Sequence, residues 1–104
     1  MLKLTVDNAL QRLAGDDFVR LFERDAFDIG LYKPDKTDAQ DPHKRDELYV
    51  VASGDGDFWC DGETTPVKRG DVLFVAAGTP HRFERFTADF STWVVFFGPR
   101  PDQA

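Results

Sequence analysis

The pattern of hydrophobic and polar positions divides the chain near residue 18. Before that point the segment DNALQRLAG, residues 7–15, predicts a short helix that Asp7 caps and Gly15 ends. The preceding segment LKLTV alternates and predicts a short strand. We expect residues 1–17 to form an extension that plugs one end of the domain.

From residue 18 onwards, short runs of alternating or apolar residues predict strands, and turn signals separate them. The later turn signals fall eight, eight, eight and eleven residues apart, at Gly54, Gly62, Gly70, Gly78 and Asp89. Many short strands at intervals of roughly 8–12 residues are typical of an antiparallel sandwich or barrel. The pattern therefore predicts an all-β barrel over residues 18–98, followed by a flexible tail over residues 99–104.

Composition limits the partners of the chain. A length of 104 residues predicts one domain, and 13 basic against 19 acidic residues give a net charge of −6. The basic residues are scattered, so we expect no nucleic-acid partner. The longest apolar runs are far shorter than the ~20 residues that span a bilayer, so we expect no membrane partner either. Cys60 is the sole cysteine and the first 15 residues have no signal-peptide core, which predicts a cytoplasmic protein.

The apolar segment WVVFFG, residues 93–98, would present hydrophobic side chains on both faces of a strand. A strand with two apolar faces is covered on both sides. One of these faces is therefore predicted to lie in a homodimer interface.

The only two histidines, His43 and His81, are predicted to point into the barrel. Residues two apart in a strand face the same side, so His43 shares a face with Glu47 and Tyr49 if the strand begins at or before it and no bulge intervenes. His81 shares a face with Phe83 by the same rule. Spacing alone leaves two interpretations open, two unrelated polar histidines or one shared site.

A shared site would have a definite chemistry. Two imidazoles and one carboxylate, with other positions open, suit Fe(II), Mn(II), Ni(II) or Zn(II). Asp41 precedes His43 by two residues and is a candidate fourth ligand. A divalent transition metal is therefore the cofactor that this residue set predicts.

Two spaced motifs resemble those of the cupin superfamily of small β-barrels. In DPHKRDELYVVASG, Asp41-x-His43 is followed after three residues by Glu47 and after six more by Gly54. In GDVLFVAAGTPHRFER, Gly70 precedes Gly78, and two residues later comes His81. The resemblance implies a jelly-roll barrel that holds a metal with His43, Glu47 and His81.

The motifs depart from the cupin pattern at four positions: Asp35 replaces a glycine, Asp41 the first histidine, Ala76 a proline and Arg85 an asparagine. Asp41 is either an oxygen ligand that makes the shell more anionic, or a residue outside a three-ligand set. A third alternative is a barrel that has lost its metal.

The resemblance also implies a small-molecule ligand and a pocket for it. The side chains predicted to line this pocket are Tyr49, Phe58, Phe83, Arg85 and Phe96. Tyr49 and Arg85 are the candidate catalytic residues; the alternatives are a core tyrosine and a rim arginine paired with an acidic residue. For the chain as a whole, the resemblance implies the function of a dioxygenase, an isomerase or a decarboxylase. The alternatives are a non-catalytic sugar- or acid-binding barrel and a metal-free structural barrel.

Overall fold

The computed structural model describes residues 1–38 and 41–98. One helix, α1 (Val6–Leu13), precedes the strands. The strands are β1 (Phe18–Arg24), β2 (Phe27–Tyr32), β3 (Asp46–Ser53), β4 (Asp55–Cys60), β5 (Glu63–Lys68), β6 (Val72–Val75), β7 (His81–Glu84) and β8 (Ser91–Phe97). The predicted flexible tail, residues 99–104, lies outside the described residues.

The N-terminal helix begins differently from the prediction. Thr5 is the N-cap, and its hydroxyl accepts a hydrogen bond from the Asn8 backbone N–H at 3.2 Å. Asp7 is wrongly predicted as the cap and lies in the first turn, where a negative charge still favours the helix dipole. The segment LKLTV is not a strand, because the chain before Val6 pairs with no described strand.

The strands form two antiparallel sheets, which confirms the all-β prediction. The larger has the order β1-β2-β8-β3-β6, and the smaller has the order β5-β4-β7. Their inner faces enclose one core, since buried side chains from both sheets pack together in a jelly-roll arrangement. The core side chains are Tyr49, Val51, Phe58, Val67, Val75, Phe83, Phe90 and Val94.

Helix α1 packs on the outer face of the larger sheet. Ala9 and Leu13 are buried against Leu31 of β2, and Trp93 of β8 lies beside them. The helix thus covers part of one sheet face, as an extension that closes the domain does. No helix among the described residues combines the length and apolarity needed to cross a membrane.

The predicted turns are confirmed, and Gly54 shows why one of them needs glycine. Its φ is +71°, a conformation that other residues adopt with strain. A Cβ there would also collide with the Thr87 hydroxyl and lie 2.7 Å from the Cα of Phe90. The backbone of the β3–β4 turn and that of the segment before β8 therefore approach each other closely.

Candidate metal centre

Glu47 is a buried carboxylate in β3, the strand next to the edge strand β6 of the larger sheet. Strand β3 lies between β8 and β6, and Glu47 pairs in register with Phe96 on one side and Val75 on the other. The alternation of the strand turns it to the inner face together with Tyr49, and the residue has 0% exposure. Burial of a carboxylate is unfavourable unless other groups compensate its charge.

His81 opens strand β7 and faces Glu47 from the opposite sheet. Its Nε2 lies 3.0 Å from Oε2 of Glu47. Its Nδ1 lies 2.8 Å from the Thr79 carbonyl oxygen, which can only accept a hydrogen bond. Nδ1 therefore carries the proton, and in the neutral ring Nε2 directs its lone pair into the barrel. Such a contact orients a metal-binding imidazole.

His43 reaches the same carboxylate from the segment before β3, so the condition that a strand begins at or before His43 is not met. Strand β3 begins only at Asp46, and the chain bends at Lys44 and Arg45. The His43 Nε2 nevertheless lies 3.0 Å from Oε1 of Glu47. Its side chain keeps 36% exposure, so the cluster has a solvent-facing side there.

The three side chains are arranged as metal ligands are. One donor atom from each of His43, Glu47 and His81 lies within 4.8 Å of the others. Both carboxylate oxygens are buried without a hydrogen bond, although an imidazole nitrogen is 3.0 Å from each. Adjacent ligands on metal bonds of about 2.1 Å are roughly 3 Å apart. The donor set therefore fits a divalent transition metal.

Burial and the neighbouring groups of His81 change the pKa of its imidazole in opposite directions. Burial lowers the pKa of its imidazole, but the contact with Glu47, the Thr79 carbonyl and the charges of Glu47 and Asp38 together raise that pKa above its ordinary value. The carboxylates therefore favour a positive charge at this position. A proton and a metal ion would compete for the same nitrogen.

Aromatic side chains surround the cluster. The Tyr49 hydroxyl lies 3.0 Å from Nε2 of His81, and Tyr49 is buried. The Phe58 ring lies 6.1 Å from the His81 ring, and the Phe96 ring lies 5.6 Å from the His43 ring. Phe83 packs against Phe58 at 4.8 Å, one layer deeper in the core. Of the predicted pocket residues, these four thus lie at or next to the cluster.

Arg85 and Asp41 lie outside the cluster. Strand β7 ends at Glu84, and Arg85 has a φ of +50°, so its predicted position on the inner face is wrong. Its Nε lies 2.8 Å from a carboxylate oxygen of Asp57 on the surface, as expected of a rim arginine. Asp41 is exposed and is not among the three grouped ligands.

Three further buried charged residues, Asp28, Asp38 and Arg45, were missed by the sequence analysis. Arg45 binds Asp28 at 2.9 Å and also donates to the carbonyl oxygens of Ala26 and Gly98. Asp38 accepts hydrogen bonds from Tyr32 and from the Phe83 backbone. Arg45 lies in the polar start of the first motif and Asp38 in the polar loop before it. Charged residues in such segments are ordinarily exposed, so no local signal indicated their burial.

The fold and the site define a small jelly-roll protein with a candidate metal centre inside the barrel. The chain belongs to the cupin family, because the Cupin domain family matches it over residues 29–96. An uncharacterized protein of Streptomyces coelicolor, SCO3923, is 40% identical over 92 residues, which cover 86% of this chain and 88% of that protein.

Solved structures share the fold. An RmlC-like cupin protein from Desulfovibrio desulfuricans superposes with a TM-score of 0.64 and 25% identity, covering 80% of this chain and 82% of that chain. KdgF from Halomonas sp. superposes with a TM-score of 0.70 and 17% identity, covering 84% and 82%. At 17% identity the second likeness concerns the fold alone.

Proposed function

We propose that the protein binds one divalent transition metal, Fe, Mn, Zn or Ni, through His43, Glu47 and His81. The observation that carries the proposal is the Glu47 carboxylate, which is fully buried and has no hydrogen bond while two imidazole nitrogens lie 3.0 Å from it. In a metal-free structural barrel, only a protonated imidazole would compensate that buried charge. Asp41 is not part of the proposed set.

We further propose that a small organic molecule binds beside the metal, at the side of the cluster where His43 meets solvent. The ligand would contact the rings of Phe58 and Phe96, with Phe83 supporting Phe58 from below. A bound metal would polarise an oxygen atom of the ligand as a Lewis acid. The aromatic lining favours a ligand with an apolar body and an oxygen-bearing end.

The reaction would be that of a dioxygenase, an isomerase or a decarboxylase, with Tyr49 as the proton carrier. Its hydroxyl oxygen lies 3.0 Å from Nε2 of His81, the atom that would bind the metal, so the hydroxyl would lie within reach of a ligand on that metal. Thr79 fixes the orientation of the His81 ring from behind. A hydroxyl held this way can deliver or take a proton at the edge of the pocket. Arg85 is not proposed for catalysis, because it pairs with Asp57 on the surface.

The experiment is turnover by metal-loaded protein with catechols, diketones, thiols and small keto or hydroxy acids, followed by oxygen uptake and product analysis. We expect turnover with one of these classes. Tyr49→Phe should lower it by about 10²–10⁴-fold while leaving the metal content unchanged. Phe83→Leu, which removes a deeper ring and no polar group, is the matched control.

A second candidate is a non-catalytic barrel that binds a small sugar or acid. It is favoured by the scarcity of acid–base groups at the site. Among the described residues, Tyr49 is the acid–base group seen in contact with a proposed ligand, His81. Binding of such a compound without turnover, detected by calorimetry on the metal-loaded protein, would select this candidate over the enzyme.

We also propose a homodimer formed through the part of the larger sheet's outer face that α1 does not cover. Eight of its outward side chains are apolar and partly or fully exposed: Phe27, Ile29, Leu48, Val50, Val72, Phe74, Val95 and Phe97. The charged residues Arg24 and Asp46 lie at one end of this face, in register with Phe27 and Phe97. Phe74 is 62% and Phe97 39% exposed, so at about 200 Å² a ring they alone leave roughly 200 Å² of apolar surface in water. Patches of a few hundred Å² commonly mark interaction sites.

A second copy of the chain suits this face because the face is mostly apolar, while the chain carries a net charge of −6. Two copies can join there without bringing their acidic surfaces together. Light scattering should give a dimer for the wild type and a monomer for Phe74→Asp, with Thr64→Asp on the other sheet as the control. A monomeric wild type at micromolar concentration would contradict the proposal. The cytoplasmic location stays a prediction from the sequence.

A further inference from the structure

Asp38 is a buried carboxylate that the proposed ligand set does not use. It lies in the segment between β2 and β3 and has 7% exposure. One of its oxygens accepts a hydrogen bond from the Tyr32 hydroxyl at 2.5 Å, and the other accepts one from the Phe83 backbone N–H at 2.8 Å. Both of these donors are uncharged.

The contact with Phe83 joins two segments that carry ligands. Strand β7 is an edge strand of the smaller sheet, and Asp38 occupies the side that no described strand pairs with. Phe83 lies two residues beyond His81 in β7, and Asp38 lies five residues before His43. The His43 carbonyl oxygen also accepts a hydrogen bond from the Gly78 backbone N–H at 2.7 Å. The segment before β3 is therefore held against the His81 side of the barrel at two points.

Asp38 also acts on the ligand set through its charge. Its carboxylate is hydrogen-bonded to the backbone of Phe83, two residues from His81, so its negative charge lies close to the ligand set. Glu47 provides the other buried negative charge at the cluster, and it does so as a ligand. Two buried carboxylates together would balance the charge of a divalent cation, and an excess charge left in a buried site is unfavourable.

We propose that Asp38 is a positioning residue of the metal centre, which holds the His43 segment against β7 and supplies the second negative charge without being a ligand. This inference rests on the proposed metal function. It assigns to Asp38 the anionic contribution that the sequence analysis considered for Asp41. Groups in this position next to metal ligands commonly contribute 10- to 100-fold in metal affinity.

The test measures Co(II) binding to the full-length metal-free chain, by competition with a chelator and by the visible spectrum of the bound ion. Asp38→Asn removes the charge and keeps the shape, and Tyr32→Phe removes one hydrogen bond and keeps the charge. Asp89→Asn removes an exposed carboxylate and is the matched control for the change in net charge. Urea unfolding of each metal-free variant reports stability separately.

We expect Asp38→Asn to weaken Co(II) binding by about 10- to 100-fold and to change the visible bands, since the ligands shift. Tyr32→Phe should weaken binding by less than about tenfold, and Asp89→Asn should leave it unchanged. A purely structural Asp38 would lower the stability and leave the spectrum of the bound ion as in the wild type, which overturns the proposal.

Two other outcomes also decide the proposal. If Asp38→Asn does not fold, Tyr32→Phe takes its place, and wild-type affinity together with a wild-type spectrum in that variant overturns the proposal. A wild type that binds no Co(II) overturns the metal site itself. That failure is distinct from one in which the wild type binds and Asp38→Asn binds equally well.

Discussion

The Glu47 carboxylate and the His81 imidazole meet at 3.0 Å from opposite sheets of the barrel, and each side chain is 1% exposed. With the proton of the neutral His81 ring on Nδ1, Nε2 and the carboxylate oxygen are both acceptors and form no hydrogen bond. A second imidazole, that of His43, has the same relationship to the other carboxylate oxygen. Three donor atoms that surround a common point without bonding to each other are the basis of the metal proposal.

Replacement of Glu47 by glutamine separates metal binding from folding. Glu47→Gln keeps the shape and removes a buried charge, so the free energy of unfolding of the metal-free protein should stay equal or rise. Metal affinity should fall by more than about 100-fold, because the loss of a metal ligand weakens binding more than the loss of a residue that only orients a ligand. Chelator competition and urea unfolding measure the two quantities.

The control for this change is Glu63→Gln at an exposed position. It should alter neither quantity. A large loss of stability in metal-free Glu47→Gln would contradict the account, since it would mean that the carboxylate already stabilises the fold without a metal.

Arg45 is expected to be a major source of stability. Its guanidinium binds the buried Asp28 carboxylate at 2.9 Å and donates to three backbone carbonyls, those of Ala26, Phe96 and Gly98. Arg45→Met should lower the free energy of unfolding by about 1.5–3 kcal/mol, because Asp28 loses its buried partner and keeps only the half-exposed Arg20 at 3.3 Å. Arg24→Met, at an exposed arginine, should change it by less than about 0.5 kcal/mol. Equal losses in the two variants would contradict this role.

The close approach at Gly54 predicts a difference between two glycines with positive φ. Gly70→Ala should lower the free energy of unfolding by about 1–2 kcal/mol through backbone strain alone, since nothing lies near the added methyl group. Gly54→Ala adds a collision with Thr87 and Phe90, which should lower it by about 1–3 kcal/mol more. Thermal unfolding compares the two variants, and similar melting temperatures would be inconsistent with the packing of this turn.

Cys60 should react slowly at neutral pH. Burial, assisted by the negative charges of Asp61 and Glu63, raises the pKa of its thiol above the ordinary value. A raised pKa means less thiolate at a given pH, and the thiolate is the form that reacts. The rate of alkylation by iodoacetamide should therefore reach its midpoint at a higher pH in the folded protein than in the same protein unfolded in urea. Coincident midpoints would contradict the assignment.

The sequence was informative where the structure depends on local patterns. Glycines at regular intervals predicted the turns, because a positive φ is a property of a single residue. Strand alternation predicted correctly that Glu47 and Tyr49 share the inner face, since both lie inside one regular strand. The spacing of the two motifs then indicated that His81 belongs with them.

The errors fall where long-range contacts or irregular backbone decide the structure. Alternation placed Arg85 inside the barrel, but the chain leaves the strand at that residue with a positive φ. Arg45 is buried because carbonyl groups from β8 and from the β1–β2 turn surround it, and no local pattern encodes their approach. Asp38 is likewise buried through a bond to Phe83, which lies 45 residues away in the chain.

The metal content of the untagged wild-type protein tests the central claim most directly. Elemental analysis, after purification and after reconstitution with Fe(II), Mn(II), Ni(II) and Zn(II), should give close to one transition-metal ion per chain with at least one of them. His81→Ala should retain almost no metal, because it removes one of the two nitrogen ligands of the proposed metal site. A folded wild-type protein that takes up no stoichiometric metal under any of these conditions would contradict the account.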